Sequence, residues 1–151
     1  MLAFRQAQAN DLPILVQLLA DDPLGKQRED ARFPLPEAYF KAFQRIDQDP
    51  NQELMVFLDQ EAKIAGMFQL SFLPYLTYRG GIRAQIEGVR IRRDLRGQGH
   101  GTEVFTWAIR RAKERGAHLL QLTTDKQRPE ALQFYRKLGF VASHEGLKLH
   151  L

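Results

Sequence analysis

The residues best suited to chemistry lie in the stretch RDLRGQGHGTE, residues 93–103, where three glycines alternate with Gln98 and His100. Glycine lets a ligand approach the main chain closely. A helix that begins directly after such a loop presents unpaired N–H groups and the positive end of its dipole, which together favour phosphate. Four arginines between residues 90 and 96 add positive charge nearby. The stretch is therefore a candidate anion site.

Other interpretations of these glycines are open at this point. A glycine-rich turn that binds nothing explains them equally well. A dinucleotide-binding fold fits less well, because its glycines would follow the first strand of a βαβ unit and here they follow the fourth predicted strand. The usual P-loop is excluded, since no Lys-Ser/Thr pair follows the last glycine. The glycines alone do not decide between a ligand site and a simple turn.

The composition limits the class of protein. A length of 151 residues with 44% hydrophobic content predicts a single domain over residues 1–151. The absence of cysteine excludes disulfides, thiolate nucleophiles and Cys-based zinc sites, and no pair of histidines has zinc-ligand spacing, so we expect no metal. No apolar run approaches the ~20 residues of a membrane span, and the N-terminus does not resemble a signal peptide. We expect a soluble, cytoplasmic protein that binds no membrane.

The charge is distributed unevenly along the chain. Residues 1–75 hold 7 Lys/Arg and 11 Asp/Glu, whereas residues 76–151 hold 15 Lys/Arg and 7 Asp/Glu. A basic half can face nucleic acid, a membrane surface or a phosphate-rich small molecule, and it can also be an ordinary solvated surface. No helix-turn-helix, zinc-finger or aromatic RNA-binding signature is present, so we expect no nucleic-acid partner.

The hydrophobic spacing predicts one α/β domain around a mixed sheet, in the order βα-α-ββ-β-α-β-α-β. The predicted strands are residues 2–6, 54–59, 63–73, 83–92 and 118–125, with one or two short strands after residue 140. The predicted helices are residues 11–21, 36–48, 101–115 and 128–139, with loops at 21–36 and 74–81. Strict alternation in the fourth strand places Ile86 and Gly88 on one face. The other face then holds Glu87, Val89 and Ile91.

Two motifs carry a resemblance to a known family. RGQGHG matches the Arg/Gln-x-x-Gly-x-Gly/Ala signature of the GNAT family of N-acetyltransferases at Arg96, Gly99 and Gly101. ALQFYRKLGF, residues 131–140, resembles the family's A-x-x-F-Y-x-K-x-G-F element. The order and spacing of the elements are similar from the first strand to the C-terminus. The resemblance implies a GNAT fold, with a mixed and mostly antiparallel sheet that splays between strands 4 and 5 and is flanked by about four helices.

The resemblance also implies a ligand, acetyl-CoA, as the acyl-donor cosubstrate. In the family the glycine loop binds the pyrophosphate through backbone amides, and the pantetheine arm pairs with the free edge of the fourth strand. The resemblance implies that the following residues bind acetyl-CoA in this chain: Val89, Arg90, Ile91, Arg96, Gly97, Gln98, Gly99, His100, Gly101, Thr102 and Arg128. His100 is expected to contribute its amide rather than its ring. The chain departs from the family pattern at Arg93, where many members have proline, and at Arg128, where many have asparagine.

Acetyl transfer needs a base for the amine and an acid for the departing thiolate. The resemblance implies direct attack of the amine on acetyl-CoA in a ternary complex, with Tyr135 as the acid. Without the motif, a tyrosine that only packs in the core would explain residue 135 equally well. Glu87 is the expected base, because related enzymes carry a glutamate near this position that acts through water. A salt bridge between Glu87 and an arginine is the open alternative. His144 is a weaker candidate base.

The acceptor is expected to be the primary amine of a small molecule. The segment 21–32 carries four acidic residues that would attract a cation and three basic residues that would bind an anion. The stretches DPNQEL, LTTDKQRPEALQFY and SHEGLKL resemble bacterial aminoalkylphosphonate acetyltransferases. An aminoglycoside- or polyamine-type acetyltransferase and a catalytically inactive acyl-CoA-binding domain are the alternatives. Since many relatives dimerise, a homodimer is a further expectation from the resemblance.

Overall fold

The computed structural model describes residues 1–151, whose strands form one five-stranded sheet in the order β1-β2-β3-β4-β5. The strands are β1 (Ala3–Gln6), β2 (Gln52–Leu58), β3 (Ile64–Pro74), β4 (Ile82–Ile91) and β5 (Ala117–Gln121). The first four pair antiparallel, and β5 runs parallel to β4. The predicted α/β class and mixed, mostly antiparallel sheet are therefore confirmed.

Six helices surround this sheet. They are α1 (Leu12–Ala20), α2 (Pro23–Arg28), α3 (Glu37–Gln48), α4 (Thr77–Gly80), α5 (His100–Glu114) and α6 (Pro129–Lys137). The four longest correspond to the four predicted helices. None is long and apolar enough to cross a membrane.

Three predicted segments differ from the structure. The expected loop at residues 74–81 contains the four-residue α4, whose two middle residues have positive φ and are not helical. The expected loop at residues 21–36 contains α2, which begins because the Asp22 side chain accepts a hydrogen bond from the Gly25 amide and Pro23 occupies the first helical turn. The expected strands after residue 140 do not form. The main chain of residues 141–151 makes a single internal hydrogen bond, from the Ser143 amide to the Val141 carbonyl, and none to the rest of the chain.

Both faces of the sheet are covered by helices. On one face the large apolar side chains of β2 and β3 pack against α5, with Phe57, Phe68 and Phe105 fully buried. On the other face Leu15 and Leu18 of α1 lie in a smaller buried cluster. Two covered faces explain why β2 and β3 are apolar at most positions rather than at alternate ones.

A β-bulge in β4 decides which side chains face the core. The pairing with β3 shifts near Gly88, whose φ is +62°, a conformation that favours glycine. Because the bulge inserts one residue, Ile86 before it and Val89 and Ile91 after it all contact the same core cluster. The predicted alternation, which put Val89 and Ile91 opposite Ile86, was therefore wrong beyond the bulge. Glu87 is exposed.

The expected separation of strands 4 and 5 is present. Their parallel pairing ends where Gln85 of β4 lies opposite Gln121 of β5. The remainder of β4, residues 86–91, has no strand neighbour on that side. The separation opens a cleft between the two strands, and its floor is the unpaired edge of β4.

The uneven charge of the sequence is largely neutralised inside the molecule. Ion pairs join acidic side chains of the first half to arginines of the second half. The acidic partners are Asp21, Asp22, Glu53 and Asp59, and the basic partners are Arg90, Arg92, Arg93, Arg96, Arg111, Arg115 and Arg128. Much of the basic surplus therefore holds the two halves of the chain together.

Candidate active site

A cavity of about 760 Å³ opens where β4 and β5 separate. Ten of the thirteen predicted site residues line it: Val89, Arg90, Ile91, Arg96, Gly97, Gly99, Gly101, Thr102, Arg128 and Tyr135. The three that do not line it are Glu87, Gln98 and His100. Five further lining residues were not among the predicted site residues: Asp22, Phe105, Glu130, Ala131 and Phe134. Helical spacing could have indicated some of these five, since Ala131, Phe134 and Tyr135 share one face of α6.

The glycine loop at this cavity has unpaired amides, and its three glycines line the cavity. The N–H groups of residues 97–101 donate no hydrogen bond within the chain, and the first that does is the Thr102 amide, 3.0 Å from the Gly99 carbonyl. Gly99 begins α5 in the left-handed region, with φ +86°, and no side chain caps the helix. Consecutive free amides at the positive end of a 15-residue helix suit a phosphate group.

Close packing below the loop requires another glycine. A Cβ atom added at Gly101 would lie 3.1 Å from Cζ of Phe134, which is tighter than an ordinary contact. The start of α5 therefore lies directly against α6, and the two sequence motifs meet in space. This contact explains why both motifs line one cavity although about 30 residues separate them in the sequence.

The side chains of Gln98 and His100 hold the loop rather than line the cavity. The Gln98 amide nitrogen donates to the Asp94 carbonyl at 2.7 Å. The His100 ring lies 3.9 Å from the carboxylate of Glu103, which also accepts a hydrogen bond from the Leu2 amide. Any contribution of these two residues to the cavity must come from their main chain.

The unpaired edge of β4 also faces the cavity. Its Val89 carbonyl accepts a hydrogen bond from Arg90 at 2.9 Å, and its Ile91 carbonyl accepts one from Arg96 at 2.9 Å. Both arginine donors belong to side chains that line the same cavity. An extended ligand that pairs with this edge would replace these hydrogen bonds, which leaves the arginines free to contact the ligand.

Tyr135 lies beside this edge, within a cluster of aromatic rings. Its ring makes edge contacts with Phe105, Phe134 and Phe140, at centroid distances of 5.5, 5.5 and 6.0 Å. Burial raises the pKa of the phenol above its ordinary value, although the charges of Arg128 and Arg90 oppose the shift. The hydroxyl therefore stays protonated at neutral pH, as a proton donor must.

Glu87 lies near Tyr135 but outside the cavity lining. Its carboxylate accepts a hydrogen bond from the Gln85 amide at 2.9 Å, so the alternative of a salt bridge to an arginine does not occur here. Burial is the main cause of the raised pKa of Tyr135, and the negative charge of Glu87 adds to it. His144, the other candidate base, is exposed on the C-terminal segment, where its ring lies 2.7 Å from the Ser143 hydroxyl.

One carboxylate and two arginines form a cluster in the cavity. Asp22 lies 2.6 Å from Arg128 and 3.4 Å from Arg90, and it also accepts the Gly25 amide. Burial opposes ionisation of Asp22, but the Gly25 amide and the two arginines outweigh it, so the pKa of Asp22 is below its ordinary value. The Nε atom of Arg90 is buried and has no partner. The cluster holds more guanidinium donors than Asp22 can accept.

Comparison with known proteins identifies the family of the chain. Residues 15–140 match the model of the acetyltransferase (GNAT) family. Over 96 residues the chain is 30% identical to aminoalkylphosphonate N-acetyltransferase from Salmonella typhimurium, an alignment that covers 64% of this chain and 61% of that protein. The matched region is thus less than two thirds of that relative's length.

Solved structures share the fold over the whole chain. A Bacillus halodurans C-125 protein described as a transcriptional regulator is 56% identical, with a TM-score of 0.95 and full coverage of both chains. An acetyltransferase from Clostridium acetobutylicum, solved with acetyl-CoA, is 22% identical with a TM-score of 0.74, covering 99% of this chain and 96% of that one. The family match extends over most of the chain and includes both motifs around the cavity, so the protein belongs to the GNAT acetyltransferase family.

Proposed function

We propose that the protein transfers the acetyl group of acetyl-CoA to the primary amine of a small molecule that also carries an anionic group. The observation that carries the donor half of this proposal is the row of free amides at residues 97–101, which opens into the same cavity as Tyr135 and the unpaired edge of β4. A phosphate anchor, an extended edge and a proton donor in one cavity suit a long polyanionic thioester.

Different segments of the chain bind the different chemical groups of acetyl-CoA. The amides of residues 97–101 bind the pyrophosphate, and Arg96 adds positive charge beside them. The main chain of residues 89–91 pairs with the amide groups of the pantetheine arm, much as a neighbouring strand would. This arrangement brings the thioester to Tyr135. Acetyl-CoA supplies an activated acyl carbon and a thiolate leaving group, and the chain supplies position and protons.

Acetyl transfer then needs two proton movements. The amine nitrogen forms a bond to the acetyl carbon as the bond from carbon to sulfur breaks. The amine proton passes to Glu87 through water, and the Tyr135 hydroxyl donates a proton to the departing sulfur. The aromatic rings around Tyr135 keep its hydroxyl in place and out of bulk water, which supports its role as the acid.

The cluster of Asp22, Arg90 and Arg128 supports an anionic group on the acceptor. Arg90 and Arg128 line the same cavity as Tyr135, and Arg128 directly precedes α6, the helix that carries Tyr135, so we place the cluster at the acetyl end of the cavity. Arginine binds carboxylate, phosphate and phosphonate through paired donors. The Salmonella relative is named for an aminoalkylphosphonate, an acceptor of this kind. A polycationic acceptor, by contrast, would be repelled by the two positively charged guanidinium groups.

Loss of the loop geometry tests the donor site. Gly99→Ala places an alanine in the left-handed conformation at the start of α5. Gly116→Ala makes the same kind of change just beyond the other end of α5, where φ is +75°. We expect both variants to lose about 1 kcal/mol of stability. Calorimetric titration with acetyl-CoA should show roughly micromolar binding, about −8 kcal/mol, to the natural protein and to Gly116→Ala. Binding to Gly99→Ala should be much weaker.

ATP, NAD and duplex DNA serve as control ligands in the same titration. Tighter binding to DNA than to acetyl-CoA would support a regulator instead.

Removal of a single hydroxyl tests the acid. Tyr135→Phe keeps the ring that packs against Phe105, so the affinity for acetyl-CoA should not change. We expect kcat to fall by roughly 10²-fold or more, the usual contribution of a general acid. Equal turnover by the natural protein and Tyr135→Phe would exclude Tyr135 as the acid.

The natural protein could also bind acetyl-CoA and release no thiol when an acceptor is added. That result would indicate an inactive acyl-CoA-binding domain.

A further inference from the structure

Glu87, the proposed base, is held in a different way from the carboxylates that join the two halves of the chain. Each of those carboxylates pairs with at least one arginine: Asp21, Asp22, Glu53 and Asp59. Glu87 has no cationic partner, and its Oε1 atom accepts a hydrogen bond from the neutral side-chain amide of Gln85 at 2.9 Å. A nearby positive charge would favour the ionised carboxylate and weaken its ability to take a proton. The amide holds the carboxylate without adding such a charge.

A second hydrogen bond continues this contact onto the neighbouring strand. The Gln85 side-chain oxygen accepts a hydrogen bond from the Gln121 side-chain amide at 2.9 Å. Gln85 and Gln121 lie opposite each other in the parallel pairing of β4 with β5. Glu87 follows Gln85 by two residues and lies on the same face of β4. The three side chains therefore form one hydrogen-bonded row, which we call the glutamine row (Gln121, Gln85 and Glu87).

The chemistry of the carboxylate fixes the direction of both hydrogen bonds. An ionised carboxylate can only accept, so Gln85 must turn its NH₂ group towards Glu87. The side-chain oxygen of Gln85 then points to Gln121, which must donate. Hydrogen bonds that follow one another in this way polarise and strengthen each other. The glutamine row occupies Oε1 of Glu87 and leaves Oε2 without a partner in the chain.

The glutamine row lies at the point where β4 and β5 separate. Gln85 and Gln121 are the last pair of the parallel register, so Glu87, the next residue on that face, has no neighbour on β5. The side chain of an exposed glutamate in such a place is free to rotate among several rotamers. The hydrogen bond from Gln85 limits this freedom, and the hydrogen bond from Gln121 holds Gln85 in turn.

We propose that Gln85, held by Gln121, is a positioning residue that keeps the Glu87 carboxylate turned towards the acceptor. One carboxylate oxygen is fixed by the glutamine row, and the other takes the proton of the amine through water. Because both amides are neutral, the row adds no positive charge that would repel a cationic amine. This inference rests on the proposed function, in which Glu87 is the base.

Two glutamine substitutions on the same face of the sheet test the positioning. Gln69 lies opposite Glu87 in the register of β3 with β4, but its amide donates to Gln52 at 2.8 Å instead of to Glu87. With acetyl-CoA and 2-aminoethylphosphonate, Gln85→Leu should lower kcat by about tenfold, the worth of a hydrogen bond to a charged group. KM for acetyl-CoA should not change. Gln69→Leu, the matched control, should keep the kcat of the natural protein.

A double substitution shows whether Gln85 acts through Glu87. Glu87→Gln alone should lower kcat by roughly 10²-fold or more, the contribution of a general base. Gln85→Leu should then lower kcat no further, because the group that it positions is already lost. A tenfold loss from Gln85→Leu in both backgrounds, or no loss in either, would overturn the inference and leave Glu87 as the base. An unchanged kcat in Glu87→Gln would instead remove the proposed base, and the inference with it.

The hydrogen bonds can also be measured without turnover, from the side-chain NH₂ resonances in proton–nitrogen NMR spectra of the protein. In Glu87→Gln the Gln85 NH₂ group loses a charged acceptor, so its hydrogen bond weakens and its proton resonance should move upfield. The Gln121 resonance should move in the same direction by a smaller amount, and the Gln69 resonance should stay in place. A Gln85 resonance that Glu87→Gln does not move would overturn the proposal.

Discussion

Glu53 on β2 and Asp22 at the start of α2 are each paired with two arginines, but the two clusters differ in how completely the donors are satisfied. Glu53 is 4% exposed and accepts hydrogen bonds from Arg111 at 2.7 and 3.0 Å and from Arg115 at 2.6 Å. Around Asp22 the pairing is looser: Arg90 lies 3.4 Å away, and its Nε atom has no partner.

The difference separates a structural cluster from a binding one. The Glu53 cluster joins β2 to the end of α5, and Arg115 additionally donates to the Pro50 carbonyl and lies 4.1 Å above the Phe72 ring. None of Glu53, Arg111 and Arg115 lines the cavity between β4 and β5. The Asp22 cluster lines the cavity, and its two guanidinium groups hold more donors than the one carboxylate can accept. We therefore expect the same residue types to serve the fold in one place and, as proposed above, a substrate in the other.

Removal of the buried charge should have the largest effect. In Glu53→Gln two guanidinium groups lose their counter-charge, and breaking a buried pair of this kind costs about 3 kcal/mol. We expect a loss of this size in the free energy of unfolding, measured by urea denaturation, with acetyl-CoA affinity unchanged at low temperature. A loss below about 1 kcal/mol, the range of exposed pairs, would contradict the structural assignment.

The pH dependence of stability should sharpen the comparison. Burial opposes ionisation of Glu53, but Arg111 and Arg115 outweigh it, so the pKa of Glu53 lies below its ordinary value in the folded protein. The ionised carboxylate therefore stabilises the fold above about pH 4.3, the unfolded value, and this contribution is lost as the pH falls through the lower folded pKa.

Glu53→Gln cannot titrate at this position. The difference in unfolding free energy between the natural protein and Glu53→Gln should therefore shrink as the pH is lowered from 7 to 3, by about 1.4 kcal/mol for each unit of pKa depression. Urea denaturation at a series of pH values measures it. A difference that stays constant over this range would show that the Glu53 carboxylate is not stabilised by its arginines.

The smallest effect is expected at the cavity carboxylate. Asn caps a helix about as well as Asp, so Asp22→Asn should keep α2 and change stability by less than about 1 kcal/mol. Because Asp22 competes with the acceptor for Arg90 and Arg128, its removal should lower KM for an anionic amine by roughly two- to five-fold, the worth of a partly exposed pair. Steady-state kinetics with Glu53→Gln as the control measures this change, and a raised KM would mean that Asp22 itself binds the acceptor.

Local signals in the sequence were sufficient for much of the fold and for the phosphate end of the site. Asn10, Asp11 and Pro13 mark the start of the first helix, and Gly116 and Gly139 end two others at positive φ, as expected. The loop of residues 97–101 is a continuous stretch, so its position at the start of α5 followed directly from chain order. The sequence also indicated α2, through Asp22 followed by Pro23, but the signal is short and was missed.

Features that depend on distant contacts could not be predicted in the same way. The resemblance implied a β-bulge in the fourth strand, and a glycine inside a strand pattern is typical of one. The strict alternation was nevertheless carried through Gly88, whose bulge moves Val89 and Ile91 to the core face. The Asp22 cluster joins three segments far apart in the chain, so spacing gives no hint of it. The sequence predicted one or two short strands after residue 140, but a strand needs a neighbour, and the main chain of residues 141–151 pairs with no other part of the chain.

Acetyl transfer to a matched pair of amines tests the central claim most directly. Release of the coenzyme A thiol would be measured with acetyl-CoA and either 2-aminoethylphosphonate or propylamine, for the natural protein and for Arg90→Met. The natural protein should prefer the phosphonate in kcat/KM by roughly tenfold or more, the worth of a hydrogen bond to a charged group, and Arg90→Met should lose most of that preference. Equal rates with the two amines, or a preference that Arg90→Met leaves intact, would contradict the account.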